Sequence, residues 1–277
     1  MLDFVIFFDI IELSNDFLGI KMFSFCYNGI DFSHKRGTAA TPLDDFGKHL
    51  HPFHELLFFV EGNVTYCVES ESRKLIENDL VLIPQGRYHF ADVDCCDNYE
   101  RYVLKFPDNI LPHYVSEKLA SMESVYFSVK KYAFIFNQLD SFRENYNDEE
   151  TYLLFVGELV KLLIMLLKEP NASSTDRNSV IARLIRYIDD NLQSNISLDT
   201  LSKEFSYSKS YISNEFKNVM KIPVMQYVRY KKIIAAHQMI LAGEKKSVVA
   251  DIFNFNDYST FYRSYVKIIG HAPTDRK

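Results

Sequence analysis

The sequence predicts an α+β protein of two domains, with a β-barrel in the N-terminal half and an all-helical domain at the C-terminus. Three observations support this prediction. Short β-rich runs fill residues 20–106, helical periodicity takes over from about Val129, and the polar stretch 169–179 is followed by helical patterns alone. A length of 277 residues is enough for two ordinary domains, and a hydrophobic content of 47% can supply a core for each.

The N-terminal strands are indicated by runs rich in β-branched and aromatic residues. "HELLFFVEGNVTYCVES" contains two such runs on either side of Glu61-Gly62-Asn63, which is typical of a β-hairpin. The runs "DLVLIP" and "RYVLKF" follow after polar turns. Short strands at this spacing indicate a sandwich or a small barrel, to which we assign residues 1–128.

Two helices are predicted between residues 129 and 168. "KKYAFIFNQLDSFREN" and "EETYLLFVGELVKLLIMLLK" both repeat apolar positions at intervals of three and four residues. The second is apolar on nearly all sides, which is typical of a helix held between two packing surfaces. We therefore treat 129–168 as a helical packing segment, and 169–179, which is rich in Pro, Asn, Ser and Thr, as a linker.

The net charge of −6 is divided unevenly along the chain. Residues 176–277 contain ten Lys and six Arg against ten acidic residues, so this part carries a charge of +6 while the rest carries −12. A basic C-terminal domain beside an acidic N-terminal one suits a polyanionic partner for the C-terminal domain alone.

The sequence predicts a cytoplasmic protein. Its apolar N-terminal stretch has no basic region and is interrupted by Asp3, Asp9 and Glu12, so a secretory signal peptide is not expected. The apolar helix carries Glu158 and Lys161, which argues against a membrane span. The four cysteines show no CxxC spacing, which is typical of reduced intracellular thiols.

The C-terminal domain contains an internal repeat. One copy begins with the small residue Ser202, followed by Phe205 and a polar turn, and the second begins in the same way with Ala250 and Phe253, 48 residues later. Each copy predicts a short helix, a turn of three to four residues and a second helix, which is the helix-turn-helix pattern. A long helix that ends at Gly243 is predicted to join the two copies.

The residue types in each copy match what a helix-turn-helix unit needs. A small residue in the first helix allows the second to cross closely, and a residue that tolerates positive φ ends the first helix. An aromatic side chain then fills the gap between the helices, and Ser, Asn or Asp caps the second helix. These turn residues are Ser206, Tyr207 and Ser208 in the first copy, and Asn254, Phe255 and Asn256 or Asp257 in the second.

The second helix of each copy carries donors, acceptors and cations that suit base edges and phosphates in the major groove of DNA. The guanidinium of Arg263 in particular can pair with guanine O6/N7 or with a phosphate. For a single hydroxyl, such as that of Ser210 or Ser259, a capping or surface role is an equally good interpretation. The candidate DNA-contacting residues are Lys209, Ser210, Tyr211, Ser213, Asn214, Lys217, Tyr258, Ser259, Thr260, Tyr262 and Arg263.

On these motifs, residues 180–274 resemble the C-terminal domain of AraC/XylS-type transcription regulators. The matching stretches are "ISLDTLSKEF", "YSKSYISNEFK", "QYVRYKKIIAAHQMI" and "FNDYSTFYRSYVKIIGHAP". The resemblance implies a double helix-turn-helix DNA-binding domain over 180–277 that binds promoter DNA sequence-specifically, with one monomer spanning two successive major grooves about 34 Å apart. It also implies RNA polymerase as a partner, and activation as the more common role in transcription.

The sequence departs from the family pattern at several positions. Ser206 and Asn254 stand at turn positions where Gly is common, and Lys221 replaces another frequent Gly. Lys232 takes the position of the usual Arg in the linking helix, and Val266 stands where Lys is usual. Because that lysine can contact a phosphate, its loss predicts weaker DNA binding by the second unit.

A second pair of motifs lies in the strand region, "HLHPFHE" at 49–55 and "PQGRYH" at 84–89. They resemble the two motifs of the cupin barrel, in which three His and one Glu can bind a metal such as Zn, Fe or Mn. In AraC-type regulators with a cupin-like barrel, these residues usually line a small-molecule pocket or hold the barrel mouth together without a metal. We predict an effector site without a cofactor at His49, His51, Glu55 and His89. The alternative is a metal bound by the same four residues.

Some neighbouring residues are assigned by type or position only. His54 is adjacent to Glu55, so in a strand its side chain is predicted to point to the opposite face. Further pocket candidates by residue type are Arg36, Tyr66, Arg87, Tyr88 and Arg101.

The family resemblance also implies a role for the helices at 129–168. Such helices typically form a dimer contact, so a homodimer is predicted, although packing against the barrel within one chain is nearly as good an interpretation. The sequence thus predicts a transcription regulator and no enzyme, in which a small molecule binds the barrel. Two alternatives stay open: a cupin-type metal-dependent enzyme with an accessory helical domain, and a protein-interaction bundle that has lost DNA binding.

Overall fold

The computed structural model describes residues 19–38, 50–93, 98–122, 125–128, 130–169 and 179–274. One compact unit contains most of the chain up to Ser174, and the second contains Thr175–Lys277 together with the short segments Leu50–Pro52 and Glu69–Glu71. Two predictions lie outside the described residues, namely the effector residue His49 and most of the linker 169–179.

The first unit contains two sheets. Its strands are β1 (Gly19–Tyr27), β2 (Ile30–Thr38), β3 (His54–Glu61), β4 (Val64–Val68), β5 (Glu71–Lys74), β6 (Asp79–Ile83), β7 (His89–Val93), β8 (Asn98–Phe106) and β9 (Tyr126–Ser128). Six strands form one sheet in the order β1-β2-β8-β3-β6-β9, and three form the other in the order β5-β4-β7. This N-terminal β-sheet domain, followed by helices, confirms the predicted α+β class.

Strand β3 is buried over its first six residues instead of alternating between buried and exposed. Leu56 and Phe58 belong to a core that is shared with the helices of this unit. Leu57 and Phe59 point the other way, into a second core between the two sheets. Since successive strand residues face opposite sides, a strand covered on both sides is a continuous apolar run.

The hairpin predicted at Glu61-Gly62-Asn63 is wrong. Strand β3 pairs with β6 and β8 in one sheet, whereas β4 pairs with β7 in the other. The register of β3 against β8 shifts between Phe59 and Glu61, and Gly62 has a φ of 136°. A bulge followed by a glycine lets the chain leave one sheet and enter the next. In the sequence, two β-rich runs around a turn look the same whether they form a hairpin or cross between two sheets.

Three α-helices of the first unit are α1 (His113–Ala120), α2 (Ala133–Asn145) and α3 (Asp148–Leu166). Helix α3 begins in a capping box, in which Asn147 and Glu150 each accept a backbone N–H of the other. Phe155 of α3 packs against Phe25 and Phe32 of the six-stranded sheet, with ring centroids 5.1 and 5.0 Å apart. The helices therefore cover one face of this sheet, and the two helices predicted at 129–168 are both present.

Among the described residues, helix α3 packs one side against the rest of its unit and leaves apolar side chains exposed on another. Phe155, Leu159 and Leu166 are buried, but Leu153 is 62% exposed and Ile164 is 37% exposed. Among the described residues, no helix is both long and apolar enough to cross a membrane.

Within the described residues 179–274, the second unit contains helices joined by short turns and no strand. Its helices are α4 (Val180–Asp190), α5 (Leu198–Phe205), α6 (Lys209–Met220), α7 (Val224–Leu241), α8 (Lys246–Ile252) and α9 (Tyr258–Ile269). Every helix predicted after the linker is present. The long helix α7 lies between the pairs α5–α6 and α8–α9 in sequence, as the repeat predicts.

Candidate DNA interface and barrel site

The first helix-turn-helix unit contains α5 and α6. Helix α5 ends at Ser206, which adopts the left-handed conformation with φ 56° and ψ 33°. Ser208 caps α6 by accepting the backbone N–H of Tyr211 at 3.2 Å. The hydroxyl of Ser202 donates to the carbonyl oxygen of Tyr207 at 2.6 Å, which ties the turn back onto α5. The predicted turn and cap are both present.

The second unit, α8 and α9, repeats this backbone. Asn254 follows α8 with a φ of 56°, the same value as at Ser206. Of the two predicted caps for α9, Asp257 is the one used, because its Oδ1 accepts the backbone N–H of Thr260 at 2.7 Å. Helix α9 ends at Gly270, whose φ is 89°.

Each second helix of a unit buries one face and exposes another. Helix α6 buries Ile212, Phe216 and Met220, and α9 buries Phe261 and Tyr265 among others. The predicted DNA-contacting residues lie on the remaining faces. Nine of them are exposed, namely Lys209, Ser210, Tyr211, Asn214, Lys217, Tyr258, Ser259, Tyr262 and Arg263, and the half-buried ones are Ser213 and Thr260.

Lys209, at the start of α6, already has an acidic neighbour. Its ammonium contacts the carboxylate of Asp199 on α5, and this hydrogen bond lowers the pKa of Asp199. Because both side chains are exposed, solvent and salt screen the pair. Lys209 can therefore exchange Asp199 for a DNA phosphate at little cost.

Thr260 connects the cap of α9 to Arg263. Its hydroxyl donates to Asp257 Oδ2 at 2.8 Å and accepts from the Arg263 guanidinium at 3.3 Å. The backbone N–H of Thr260 also lowers the pKa of Asp257, so that carboxylate stays ionised. The chain Asp257–Thr260–Arg263 follows the three-residue spacing of a helix face, and this spacing is the signal that could have identified it in the sequence.

Helix α7 meets the two units through different chemistry. The ring of Tyr227, near its start, packs against Phe216 of α6 at a centroid distance of 5.3 Å. Near its end, His237 Nδ1 lies 2.6 Å from the hydroxyl of Tyr265 on α9. Burial, assisted by the nearby His271, lowers the pKa of His237 to about 4. The first contact is apolar, and the second is polar and contains a group that titrates.

Lys232 lies in the middle of α7 and is only 8% exposed. Its Nζ donates to the carbonyl oxygens of Ser194 at 2.9 Å and Phe253 at 2.8 Å, and burial lowers its pKa. In the turn of the second unit, Asn254 Nδ2 donates to the carbonyl oxygen of Gln193 at 2.6 Å. The sequence indicates Lys232 only as a replacement for Arg, because backbone carbonyl partners leave no residue pattern.

The structure brings together three of the predicted effector residues. His51, Glu55 and His89 are all buried, and their potential ligand atoms lie within 4.8 Å of one another. Glu55 is on β3 in the six-stranded sheet and His89 is on β7 in the three-stranded sheet. The two sequence motifs therefore meet between the sheets.

The hydrogen bonds of this cluster define its chemistry. His89 Nδ1 lies 2.9 Å from the carbonyl oxygen of Arg87; because a carbonyl only accepts, Nδ1 carries the proton. His89 Nε2 lies 3.8 Å from Glu55 Oε2, and the Tyr66 hydroxyl donates to Glu55 Oε1 at 3.5 Å. Burial raises the pKa of Tyr66, so its hydroxyl stays a donor. Imidazole and carboxylate donors of this kind fit a divalent metal, and they also fit the polar groups of an organic effector.

His54 points away from Glu55, as predicted, but it is buried. Its Nε2 lies 3.0 Å from Asp108 Oδ1, and its Nδ1 accepts the backbone N–H of Gln85 at 3.2 Å. The bond to His54 is the main cause of the lowered pKa of Asp108. The segment after β8 covers this side of the strand, so His54 has a structural role.

An ionic cluster surrounds the buried His34, and of its members only Arg36 was a candidate from the sequence, by residue type alone. His34 Nε2 lies 2.9 Å from Glu100 Oε1, and its Nδ1 lies 3.0 Å from Asp140 Oδ2 on α2. Arg36 Nε pairs with Glu100 at 2.7 Å, and the His34 ring stacks on Tyr102 with centroids 3.9 Å apart. The partners of His34 are 66 and 106 residues away in sequence, so no local motif reveals them.

Two family models match the chain. Residues 33–167 match the AraC-like ligand binding domain, and residues 201–276 match a helix-turn-helix domain. The first match covers most of the described sheets and the helices after them, and the second extends from within α5 past the end of α9. The chain belongs to the AraC family of transcription regulators. It is a DNA-binding regulator with a ligand-binding N-terminal domain, as the sequence predicts.

The chain is similar to curated transcription regulators and to solved structures, among them the following three. The putative HTH-type transcriptional regulator YkgA of Escherichia coli is 25% identical over 109 residues, which are 39% of this chain and 46% of YkgA. The HTH-type transcriptional activator RhaR of Shigella dysenteriae is 21% identical over 264 residues, which are 84% of this chain and 87% of RhaR. A crystal structure of ToxT from Vibrio cholerae covers 89% of this chain and 96% of ToxT, with 13% identity and a TM-score of 0.39.

Proposed function

We propose that this AraC-family regulator binds promoter DNA by placing α6 and α9 in two successive major grooves. The observation that carries this proposal is that both helices bury one face and keep a polar, aromatic and cationic face exposed. Two such helices in one domain can reach half-sites about 34 Å apart on one side of the duplex. The remainder of the DNA-binding domain, 180–277, serves to hold them.

The exposed residues divide into two groups by chemistry. Lys209 and Lys217 bind phosphates, because an ammonium is a point charge without the fork geometry that reads a base. Asn214 suits adenine and Arg263 suits guanine, since each can form two hydrogen bonds with its base. Thr260 holds the guanidinium of Arg263 and acts through it.

The barrel binds a small-molecule effector at His51, Glu55 and His89, together with His49. The support for this is the convergence of buried polar groups from both sheets, since buried polar groups need partners. The effector regulates DNA binding by binding one arrangement of the protein more tightly than another, because a ligand shifts an equilibrium only by its differential affinity.

A divalent metal is the second possible occupant of the same site. Elemental analysis of the purified full-length protein tests it, with His89→Ala as the site variant and His113→Ala, at an exposed histidine of α1, as the matched control. Stoichiometric Zn, Fe or Mn that is lost only in His89→Ala assigns a metal. Metal-free wild-type protein leaves the site to an organic effector.

The remaining parts of the proposal follow the family. The relatives are regulators, and we assign no catalytic activity to this chain. It acts in the cytoplasm as a homodimeric activator that contacts RNA polymerase, with exposed Leu153 and Ile164 of α3 available for the dimer contact. The domain limits are 1–128 for the barrel, 129–168 for the packing and dimerisation helices, 169–179 for the linker and 180–277 for the DNA-binding domain.

Selection of bound sequences from random DNA by the full-length protein tests this function directly. We expect a recovered motif with two half-sites, and an affinity that falls as salt increases because DNA phosphates release counterions on binding. Absence of any enriched motif, or binding that does not respond to salt, would contradict the proposal. Size measurement of the complex then gives the number of chains on the DNA.

A further inference from the structure

We propose that Lys232 and Asn254 are positioning residues that hold the two helix-turn-helix units at one fixed separation, and thereby determine which half-site spacing the protein accepts. Asn254, in the turn of the second unit, donates to the loop that precedes the first unit, and Lys232, on α7, donates to that loop and to the turn of the second unit. We call this set of bonds the clasp; it consists of the Lys232 ammonium, the Asn254 amide and the carbonyl groups of Gln193, Ser194 and Phe253. The inference rests on the proposed binding of two successive grooves.

The loop between α4 and α5 supplies one side of the clasp. Its consecutive residues Gln193 and Ser194 accept from Asn254 at 2.6 Å and from Lys232 at 2.9 Å, respectively. The loop is held to the first unit, because the rings of Tyr187 on α4 and Phe205 on α5 pack edge to face at 5.6 Å. Two adjacent carbonyls bonded to two different donors prevent this loop from sliding unless both bonds break.

The turn of the second unit supplies the other side. The carbonyl oxygen of Phe253 accepts from Lys232 at 2.8 Å, and the next residue, Asn254, directs its amide back to the first unit. The Lys232 ammonium thus joins one carbonyl of each unit. Because Lys232 is almost fully buried, these carbonyls replace water around its charge, and losing either one is costly.

Without the clasp, the two units would be joined mainly through α7. The first unit packs near the start of this helix at Tyr227, and the second packs near its end at His237. Contacts at opposite ends of a helix leave the units free to rotate as the helix bends. The clasp adds a direct connection in the middle, so that α6 and α9 are held in one relative orientation.

A change in half-site spacing is incompatible with this connection. One added base pair moves a half-site by about 3.4 Å along the DNA axis and by roughly 35° around it. The bonds of the clasp are 2.6 to 2.9 Å long, and a hydrogen bond is lost once the atoms are about 3.6 Å apart. To follow the DNA, the protein must either break the clasp or lose one half-site.

The test compares full-length proteins on DNA selected by the wild type and on duplexes with one base pair inserted or deleted between the half-sites. We expect the wild type to bind the altered duplexes about tenfold or more weakly than the selected DNA, and we call this factor the spacing penalty. In Asn254→Gly this spacing penalty should fall by about threefold or more, because the variant removes one bond of the clasp. Glycine accepts the φ of 56° without strain, so the turn itself is kept.

The matched control is Ser206→Gly, the same change at the equivalent left-handed position of the first unit, outside the clasp. Its spacing penalty should equal that of the wild type. Lys232→Met removes the ammonium and should relax the penalty further than Asn254→Gly, while Lys232→Arg keeps donors and should restore much of it. If Lys232→Met does not fold, as judged by circular dichroism, Asn254→Gly decides.

The outcomes separate this inference from the proposed function. A spacing penalty that stays at the wild-type value in Asn254→Gly and in folded Lys232→Met overturns the clasp. Equal relaxation in Ser206→Gly overturns it as well, because the effect would then come from turn flexibility. If the wild type selects two half-sites at variable spacing, this inference alone fails; if it selects no sequence, the proposed function fails with it.

Discussion

The two helix-turn-helix units share a backbone and differ in what their side chains do with it. Ser206 and Asn254 end the first helix of each unit with the same φ of 56°. Asn254 also extends a hydrogen bond to Gln193 of the other unit, through an amide that Ser206 does not possess. A repeated backbone therefore determines the shape of each unit, while single side chains determine how the units are connected.

The same contrast holds where the units meet α7. The first unit uses an apolar ring contact between Phe216 and Tyr227, whereas the second uses a hydrogen bond between His237 and Tyr265. An apolar contact is insensitive to pH, and a buried histidine is not. The two units should thus respond differently to acid, to loss of a base contact and to changes at their helix ends.

The largest expected difference is in pH dependence. The folded pKa of His237, about 4, lies below the usual value of about 6.5. The unfolded chain therefore binds a proton first as pH falls, and the free energy of unfolding decreases between about pH 6.5 and pH 4 by ~3 kcal/mol. Urea denaturation of wild type and His237→Gln at several pH values measures this contribution. An equally steep decrease in His237→Gln would show that other groups cause it.

The second difference concerns DNA contacts. Arg263→Ala should weaken binding to the selected sequence by about 1–3 kcal/mol, and should relax base preference at one position. Lys217→Ala on α6 should weaken binding to all sequences alike and reduce the slope of affinity against salt. Titrations of both variants on selected and scrambled duplexes check this. If Arg263→Ala lost affinity for both duplexes equally, Arg263 would be a phosphate contact.

The helix caps should differ by a smaller amount. Ser208→Ala removes one hydrogen bond at the start of α6 and should cost about 1 kcal/mol. Asp257→Ala should cost more, because its carboxylate also accepts the Thr260 hydroxyl and its negative charge faces the positive end of α9. Thermal melting of the two variants under identical conditions gives the order. An equal loss would mean that the Thr260 hydroxyl bond contributes nothing to stability.

The smallest effect is expected at the ends of α6 and α9. Lys221 ends α6 with a φ of 59°, whereas Gly270 ends α9 with a φ of 89°. Because a side chain is strained in this region, Lys221→Gly should stabilise the protein by up to about 1 kcal/mol. The reverse change, Gly270→Lys, should destabilise it. Denaturation midpoints measure both, and destabilisation by Lys221→Gly would show that the lysine side chain makes a compensating contact.

Local signals explain how well the helices of the DNA-binding domain were predicted. The caps Ser208 and Asp257, the left-handed residues Ser206 and Asn254, and the terminal Gly270 each act within one turn of their own helix. Because a cap or a helix end depends on only about four neighbouring residues, it can be recognised from those residues alone. The hairpin after β3 was mispredicted for the opposite reason, since the pairing partners of β3 and β4 lie elsewhere in the chain.

The functional residues divide in the same way. The faces of α6 and α9 could be predicted, because helical periodicity determines which residues are buried and which are exposed. The convergence of Glu55 and His89 was predicted from a motif resemblance, not from the residues themselves. Lys232 and His34 had no signal of their own, since their partners are distant carbonyls and carboxylates.

By itself, the sequence determined the order of the two domains, the helices of the DNA-binding half and their exposed faces, because capping, periodicity and charge act between near neighbours. Only the tertiary structure decided which sheet each strand joins, that Asp257–Thr260–Arg263 forms one chain of contacts, and that Lys232 is buried between two backbone carbonyls. Such contacts depend on how separate elements meet, and burial then makes each polar partner indispensable.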